Sequence, residues 1–108
     1  MLLESEIERH LVRRLNEYGF KVFKLHTPGH TGVMDRMILR PRYSPGPPMF
    51  VEIKRGGKNL RAKQAAIGED WKMRGCVVLN PVKTPGECDQ LCTYLIDLIM
   101  PDYAFARI

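Results

Sequence analysis

The run Phe50-Val51-Glu52-Ile53-Lys54 constrains this chain more than any other segment. It is apolar and β-branched, which favours a strand, yet it carries an acid and a base two residues apart. A strand sends alternate side chains to opposite faces. Glu52 and Lys54 then project together, while Val51 and Ile53 face the other way. Asp35 lies in a second apolar run, 33–39, so a neighbouring strand can bring in another carboxylate. Two carboxylates suit a hard divalent cation such as magnesium. An adjacent ammonium suits a phosphate or an activated water. A bare Glu-x-Lys arises about 0.4 times by chance in a chain this long, so the pair alone reads equally as an ordinary cross-strand ion pair. Its setting inside a strand, and Gly32-Val33-Met34-Asp35 leading into the strand before it, give it weight.

The 108 residues, 44% of them hydrophobic, fit one domain over 1–108 with a modest core. Lys and Arg number 17 against 12 acids, a net charge of +5. Most of the basic residues precede residue 65, so basic character accompanies the candidate site and favours a polyanionic partner. No apolar run has the length of a membrane span, and Met1-Leu2-Leu3-Glu4 lacks the basic start of a signal peptide. Cys76, Cys88 and Cys92 form no Cys-x-x-Cys pair, which argues against zinc and for a reduced, cytoplasmic setting. Cys88 and Cys92 are one helical turn apart and read as small core residues.

Helical periodicity marks residues 4–18 through Ile7, Leu11, Leu15 and Tyr18, with Gly19 as terminator. Residues 20–26, 33–40 and 49–54 read as strands. Pro41 to Pro48, with four prolines and a glycine, is a long hairpin connection. Residues 60–74 form a second helix, with Leu60, Ala66 or Ile67, and Trp71 inward. Cys76 to Leu79 is a short strand. A third helix spans 87–100, with Leu91, Leu95, Leu98 and Ile99 buried, and Pro101 stops it. The order α-β-β-β-α-β-α predicts an α/β fold, a mixed sheet flanked by helices.

This order, with its residues, resembles the VRR-NUC family of the PD-(D/E)xK nuclease superfamily, a module found alone in phages and bacteria. The resemblance covers roughly residues 4–82. It rests on Glu4 in the first helix, Gly32-Val33-Met34-Asp35-Arg36, Phe50-Val51-Glu52-Ile53-Lys54, Gly56-Gly57, Gln64, and Gly75-Cys76-Val77-Val78. Met34 stands where the family usually has proline, a departure that affects loop stiffness rather than ligand chemistry. The resemblance implies a restriction-endonuclease-like α-β-β-β-α-β core with an extra C-terminal helix.

It also implies a metal-dependent DNA endonuclease of the Holliday-junction-resolving type, acting on branched DNA as a homodimer. A catalytically silent DNA-binding module of the same fold is the alternative. The implied cofactor is Mg²⁺ or Mn²⁺, held by Asp35, Glu52 and the backbone carbonyl of Ile53. Lys54 would position water or stabilise charge on the phosphate. Gln64 would orient the water or Lys54, and Glu4 would reach the metal's hydration shell, with Glu6 and Glu8 as rival acids on the same helix. Lys24, His26, Arg36, Arg55, Lys58 and Arg61 are candidate phosphate contacts, which give affinity without sequence readout. Tyr43 is a further candidate for touching DNA, and Trp71 fits the core. The Pro41–Pro48 loop and the third helix are candidate dimer surfaces.

Overall fold

The computed structural model describes residues 4–26, 34–54 and 62–107, with Glu4 described in its backbone alone. Helix α1 (Glu4–Asn16) buries Ile7, Leu11 and Leu15, one face at helical spacing. It ends where Gly19 takes a left-handed φ of +88°. The Phe20 N–H donates to the Leu15 carbonyl and the Gly19 N–H to that of Asn16, a Schellman closure in which Phe20 joins Leu15 in the core.

Strands β1 (Lys21–Lys24), β2 (Arg36–Leu39) and β3 (Met49–Val51) pair antiparallel in chain order, and β4 (Val77–Val78) adds in parallel to β3. The predicted mixed sheet is thus present, with shorter strands than the hydropathy pattern suggests. Ile38, Met49, Val51 and Ile53 share one core with α1 and with α3 (Pro85–Ala106). Helix α2 (Ala62–Met73) packs near β4, with Trp71 edge-on to Phe50 at a centroid distance of 5.0 Å. It closes on Gly75 at φ +95° by the same device as α1: Cys76 N–H to the Trp71 carbonyl and Gly75 N–H to that of Lys72.

Four expectations about the helices are corrected. In α2 the buried residues are Gln64 and Gly68, Ile67 and Trp71 are half-buried, Ala66 is exposed, and Leu60 lies outside the described residues. A Cβ added at Gly68 would lie 3.6 Å from Val78 Cγ1 and 4.0 Å from Met34 Cε, so a small residue lets the helix sit close to the sheet. Helix α3 begins at Pro85, earlier than expected. Thr84 caps it by accepting the Glu87 N–H, and Pro85 occupies the first helical position. Nor does Pro101 stop α3, which continues to Ala106. Its last turns are held from outside: Asp102 accepts the Ser44 hydroxyl at 2.7 Å, and Tyr103 packs on Tyr18 and Tyr43. Leu98 is exposed, while Cys88, Cys92, Leu95, Ile96 and Ile99 form the buried face. Both predicted core cysteines are therefore core residues.

Candidate active site

The site forms where two strands run out together. Pairing of Arg36 with Val51 brings the next residues, Asp35 and Glu52, opposite one another. There the ladder gives way to a side chain: the Asp35 N–H donates to Glu52 Oε2 at 3.2 Å. On its other side, the Leu25 N–H donates to the Asp35 carbonyl at 2.7 Å, which fixes the backbone of Asp35 from β1. Lys54 Nζ lies 3.5 Å from Glu52 Oε1. Val51 and Ile53 are fully buried on the opposite face. The alternation read from the sequence therefore brings Asp35, Glu52 and Lys54 together.

The segment carrying Glu52 and Lys54 is anchored by an irregular ladder. Phe50 pairs with Val78, but Ile53 bridges to Val82, so the chain past β4 carries one extra residue in the stretch through Asn80 and Pro81. Val82 donates to the Glu52 carbonyl at 2.9 Å and accepts the Lys54 N–H at 2.8 Å. Both flanking residues thus spend their backbone groups on Val82. The carbonyl of Ile53 then points the other way, towards the side on which Asp35 lies. A ligating carbonyl at this site has to face in that direction.

Electrostatics set Glu52 apart. It is 5% exposed, and burial pushes its carboxyl above the usual carboxylate range. The neighbouring charge of Asp35 pushes the same way, while Lys54 and the Asp35 N–H oppose the rise. Two acids held close in a partly desolvated place favour a cation between them, and their donors are hard oxygens. Among the described residues no group of three or more His, Cys, Asp or Glu converges as an all-protein cage. Two carboxylates with the remaining positions left to water and phosphate oxygens is the usual manner of holding magnesium. The donor set therefore fits the implied ion.

Other expected residues divide sharply. Arg36, expected among the phosphate contacts, is 2% exposed and lies between two acids. Its Nη2 donates to Glu8 Oε2 and its Nη1 pairs with Asp35 Oδ2, each at 2.7 Å. It is an internal cation, and DNA cannot reach it. The period-two pattern contained the signal, since Arg36 is in phase with the buried Ile38. Tyr43 is likewise turned inward, its hydroxyl donating to the Tyr18 carbonyl. Burial raises the Tyr43 phenol above its ordinary value. Lys24 and His26 are exposed near the end of β1 that pairs with Arg36. Gln64 is buried on α2 and lines a cleft with Met34, the residue before Asp35. Of the three helical acids, Glu8 is the one seen to reach this cluster, through Arg36. The Glu4 side chain, the Gly32-Val33 and Gly56-Gly57 segments, and Arg55, Lys58 and Arg61 lie outside the described residues.

Comparison with known proteins bears on the fold rather than on the site residues. A solved structure described as "VRR_NUC domain" matches with a TM-score of 0.69 and 27% identity, over 82% of this chain and 91% of that one. The phage protein "Putative nuclease p44", from Acyrthosiphon pisum secondary endosymbiont phage 1, is 36% identical over 58 residues. That match takes in 54% of this chain and 59% of the phage protein, so the aligned region spans about three fifths of its curated relative. No family profile matches the sequence. The chain shares the mixed α/β fold of that VRR_NUC domain, the fold that its order of motifs resembles.

Proposed function

We propose that this domain is a Mg²⁺- or Mn²⁺-dependent DNA endonuclease. The observation that carries this reading is the convergence of Asp35, Glu52 and Lys54 at the common end of β2 and β3. Asp35, Glu52 and the Ile53 carbonyl would hold the cation. When bound, it supplies Lewis acidity towards a phosphate oxygen and lowers the pKa of water. Lys54, held beside Glu52, offers its ammonium to the negative charge that grows on the phosphate as the bond breaks. The buried carboxylate of Glu52 and the backbone-fixed Asp35 would hold that cation in one place, so that the phosphate meeting it is positioned as well as polarised. Gln64, buried on α2, is the proposed residue that orients the water or Lys54, and Glu4 remains the acid that the resemblance proposes from α1.

DNA is the proposed partner, drawn to the basic half of the chain. Lys24 and His26, with Arg55, Lys58 and Arg61, are the proposed phosphate contacts. Structure-specific cutting of branched DNA, of the Holliday-junction-resolving type, requires two cuts related by symmetry, hence a homodimer. Among the described residues no helix is long and apolar enough to cross a membrane. We place the protein with its substrate in the cytoplasm of a bacterial or phage-infected cell.

The test is cleavage of a labelled four-way junction, with matched linear duplex and single strand, in Mg²⁺, Mn²⁺ and EDTA. Metal-dependent symmetric junction cutting that disappears in Lys54→Ala is the expected result. Equal cutting of every substrate keeps the nuclease and removes the junction assignment. Salt-sensitive binding with no cutting in either metal replaces the reading with a silent DNA-binding module.

A further inference from the structure

We propose that Arg36 is a positioning residue: it clamps Asp35 through one carboxylate oxygen, ties it to α1 through Glu8, and thereby sets how the site holds its cation. This rests on the endonuclease reading and assigns a role to a residue that never meets the substrate. Both terminal nitrogens of Arg36 are engaged at 2.7 Å, one by Glu8 and one by Asp35. Nη1 also donates to the Asp35 backbone carbonyl at 3.3 Å. A leucine in phase with Ile38 would satisfy the core at this position. A guanidinium here carries a desolvation cost that only well-placed acids offset. One of those acids belongs to the candidate site, so the cost is incurred where the chemistry is proposed.

The electrostatic consequence has an unusual sign. Arg36 competes with a metal ion for Asp35, so it lowers affinity for the cation while fixing the carboxylate that receives it. Without Arg36, the acids Glu8, Asp35 and Glu52 would face the cation with Lys54 as the one opposing base among the described residues. The Asp35 carboxylate would also lose the guanidinium that orients it. A purely structural residue would, if lost, weaken the site and the fold together. Loss of a positioning cation instead separates metal binding from turnover.

The experiment uses the full chain with Arg36→Met, which keeps much of the volume, beside Arg36→Lys and Glu8→Gln. Mn²⁺ binding is measured by calorimetry without DNA, DNA affinity in EDTA, and kcat and KM in Mn²⁺. For Arg36→Met we expect Mn²⁺ affinity equal to wild type or several-fold tighter. We expect kcat to fall about tenfold to a hundredfold, and KM for DNA and DNA affinity to stay within about twofold. Arg36→Lys should restore part of kcat. Glu8→Gln keeps the guanidinium and loosens its tether, so it should lower kcat less; it decides the matter if Arg36→Met does not fold. DNA affinity that falls while kcat holds would make Arg36 a phosphate contact and overturn the proposal. So would weakened Mn²⁺ binding, or a lower melting temperature with wild-type kcat. Wild-type protein that neither binds Mn²⁺ nor cuts DNA would remove the endonuclease reading and this proposal with it. Wild-type cutting matched by Arg36→Met would remove this proposal alone.

Discussion

Strand β2 is flanked by two arginines with opposite surroundings. Arg36, at its start, is wedged between the carboxylates of Glu8 and Asp35. Arg40, just past its end, donates through Nε to the Ser44 carbonyl at 2.8 Å and through Nη2 to the Ser44 hydroxyl at 2.7 Å. The Ser44 hydroxyl donates in turn to Asp102 of α3, also at 2.7 Å. At the Arg40 end the polar groups are matched one to one, and the result is a brace between the proline-rich connection and α3. At the Arg36 end, among the described residues, three acids face two bases: Glu8, Asp35 and Glu52 against Arg36 and Lys54. The first arrangement is what a fold needs, and the second is what a cation needs. On the proposed reading the site receives a cation there, and without one the fold carries the repulsion between Asp35 and Glu52.

The strongest way to break this contrast is Glu52→Gln. Cleavage should fall by about a hundredfold to a thousandfold, while the metal-free protein should melt no lower than wild type, because its Asp35 neighbour loses a repelling charge. A clear fall in metal-free melting temperature would mean that Glu52 is a structural acid like those of an ordinary ion pair. The raised pKa gives a companion prediction. A carboxyl whose folded pKa exceeds its unfolded value favours the native state when protonated. That contribution is present below the unfolded pKa and is lost as pH rises through the folded one. A divalent ion competes with the same proton, so melting temperature should gain more from Mn²⁺ at pH 7.5 than at about pH 5. A gain that is the same at both pH values would separate the ion from Glu52.

At the Arg40 end the expected effects are on stability alone. Ser44→Ala leaves Arg40 and Asp102 without their shared hydroxyl in a place where Ser44 is 1% exposed. A loss of about 1–3 kcal/mol is expected, read by urea unfolding, with kcat of the folded fraction unchanged. Tyr43→Phe removes one donor, to the Tyr18 carbonyl, and keeps the rings packed against Tyr103. It should cost about 1 kcal/mol. If either variant lowered kcat at full occupancy of the native state, the two ends of β2 would be coupled and the contrast drawn above would fail.

The same division explains what the sequence made legible. Asp35, Glu52 and Lys54 were readable because their relation is local, an alternation within one strand and a partner strand of matching hydropathy. The element order was readable for the same reason. The internal role of Arg36 was harder, because one of its partners, Glu8, comes from 28 residues away and only the fold brings them together. The buried face of α2 was misread because it is made by Gln64 and Gly68, neither of them apolar in the usual sense. A close helix–sheet contact there selects for small size, which hydropathy does not record.

Pro101 poses the sharpest remaining question about local rules. Proline inside a helix removes an N–H and crowds the carbonyl four residues earlier, and relative to alanine this costs about 3 kcal/mol in an exposed helix. Yet α3 runs through it, because residues beyond it are tied down by Ser44, Tyr18 and Tyr43. If those tertiary contacts merely tolerate the proline, Pro101→Ala should raise stability. The gain should be about 2 kcal/mol, the helix penalty less the freedom that alanine returns to the unfolded chain. If instead the proline sets the direction from which Asp102 and Tyr103 reach their partners, the same change should destabilise. It would then behave like a milder Ser44→Ala. Urea unfolding of Pro101→Ala, alone and combined with Ser44→Ala, separates the two: additive effects mean tolerance, and non-additive ones mean that the proline is part of the brace.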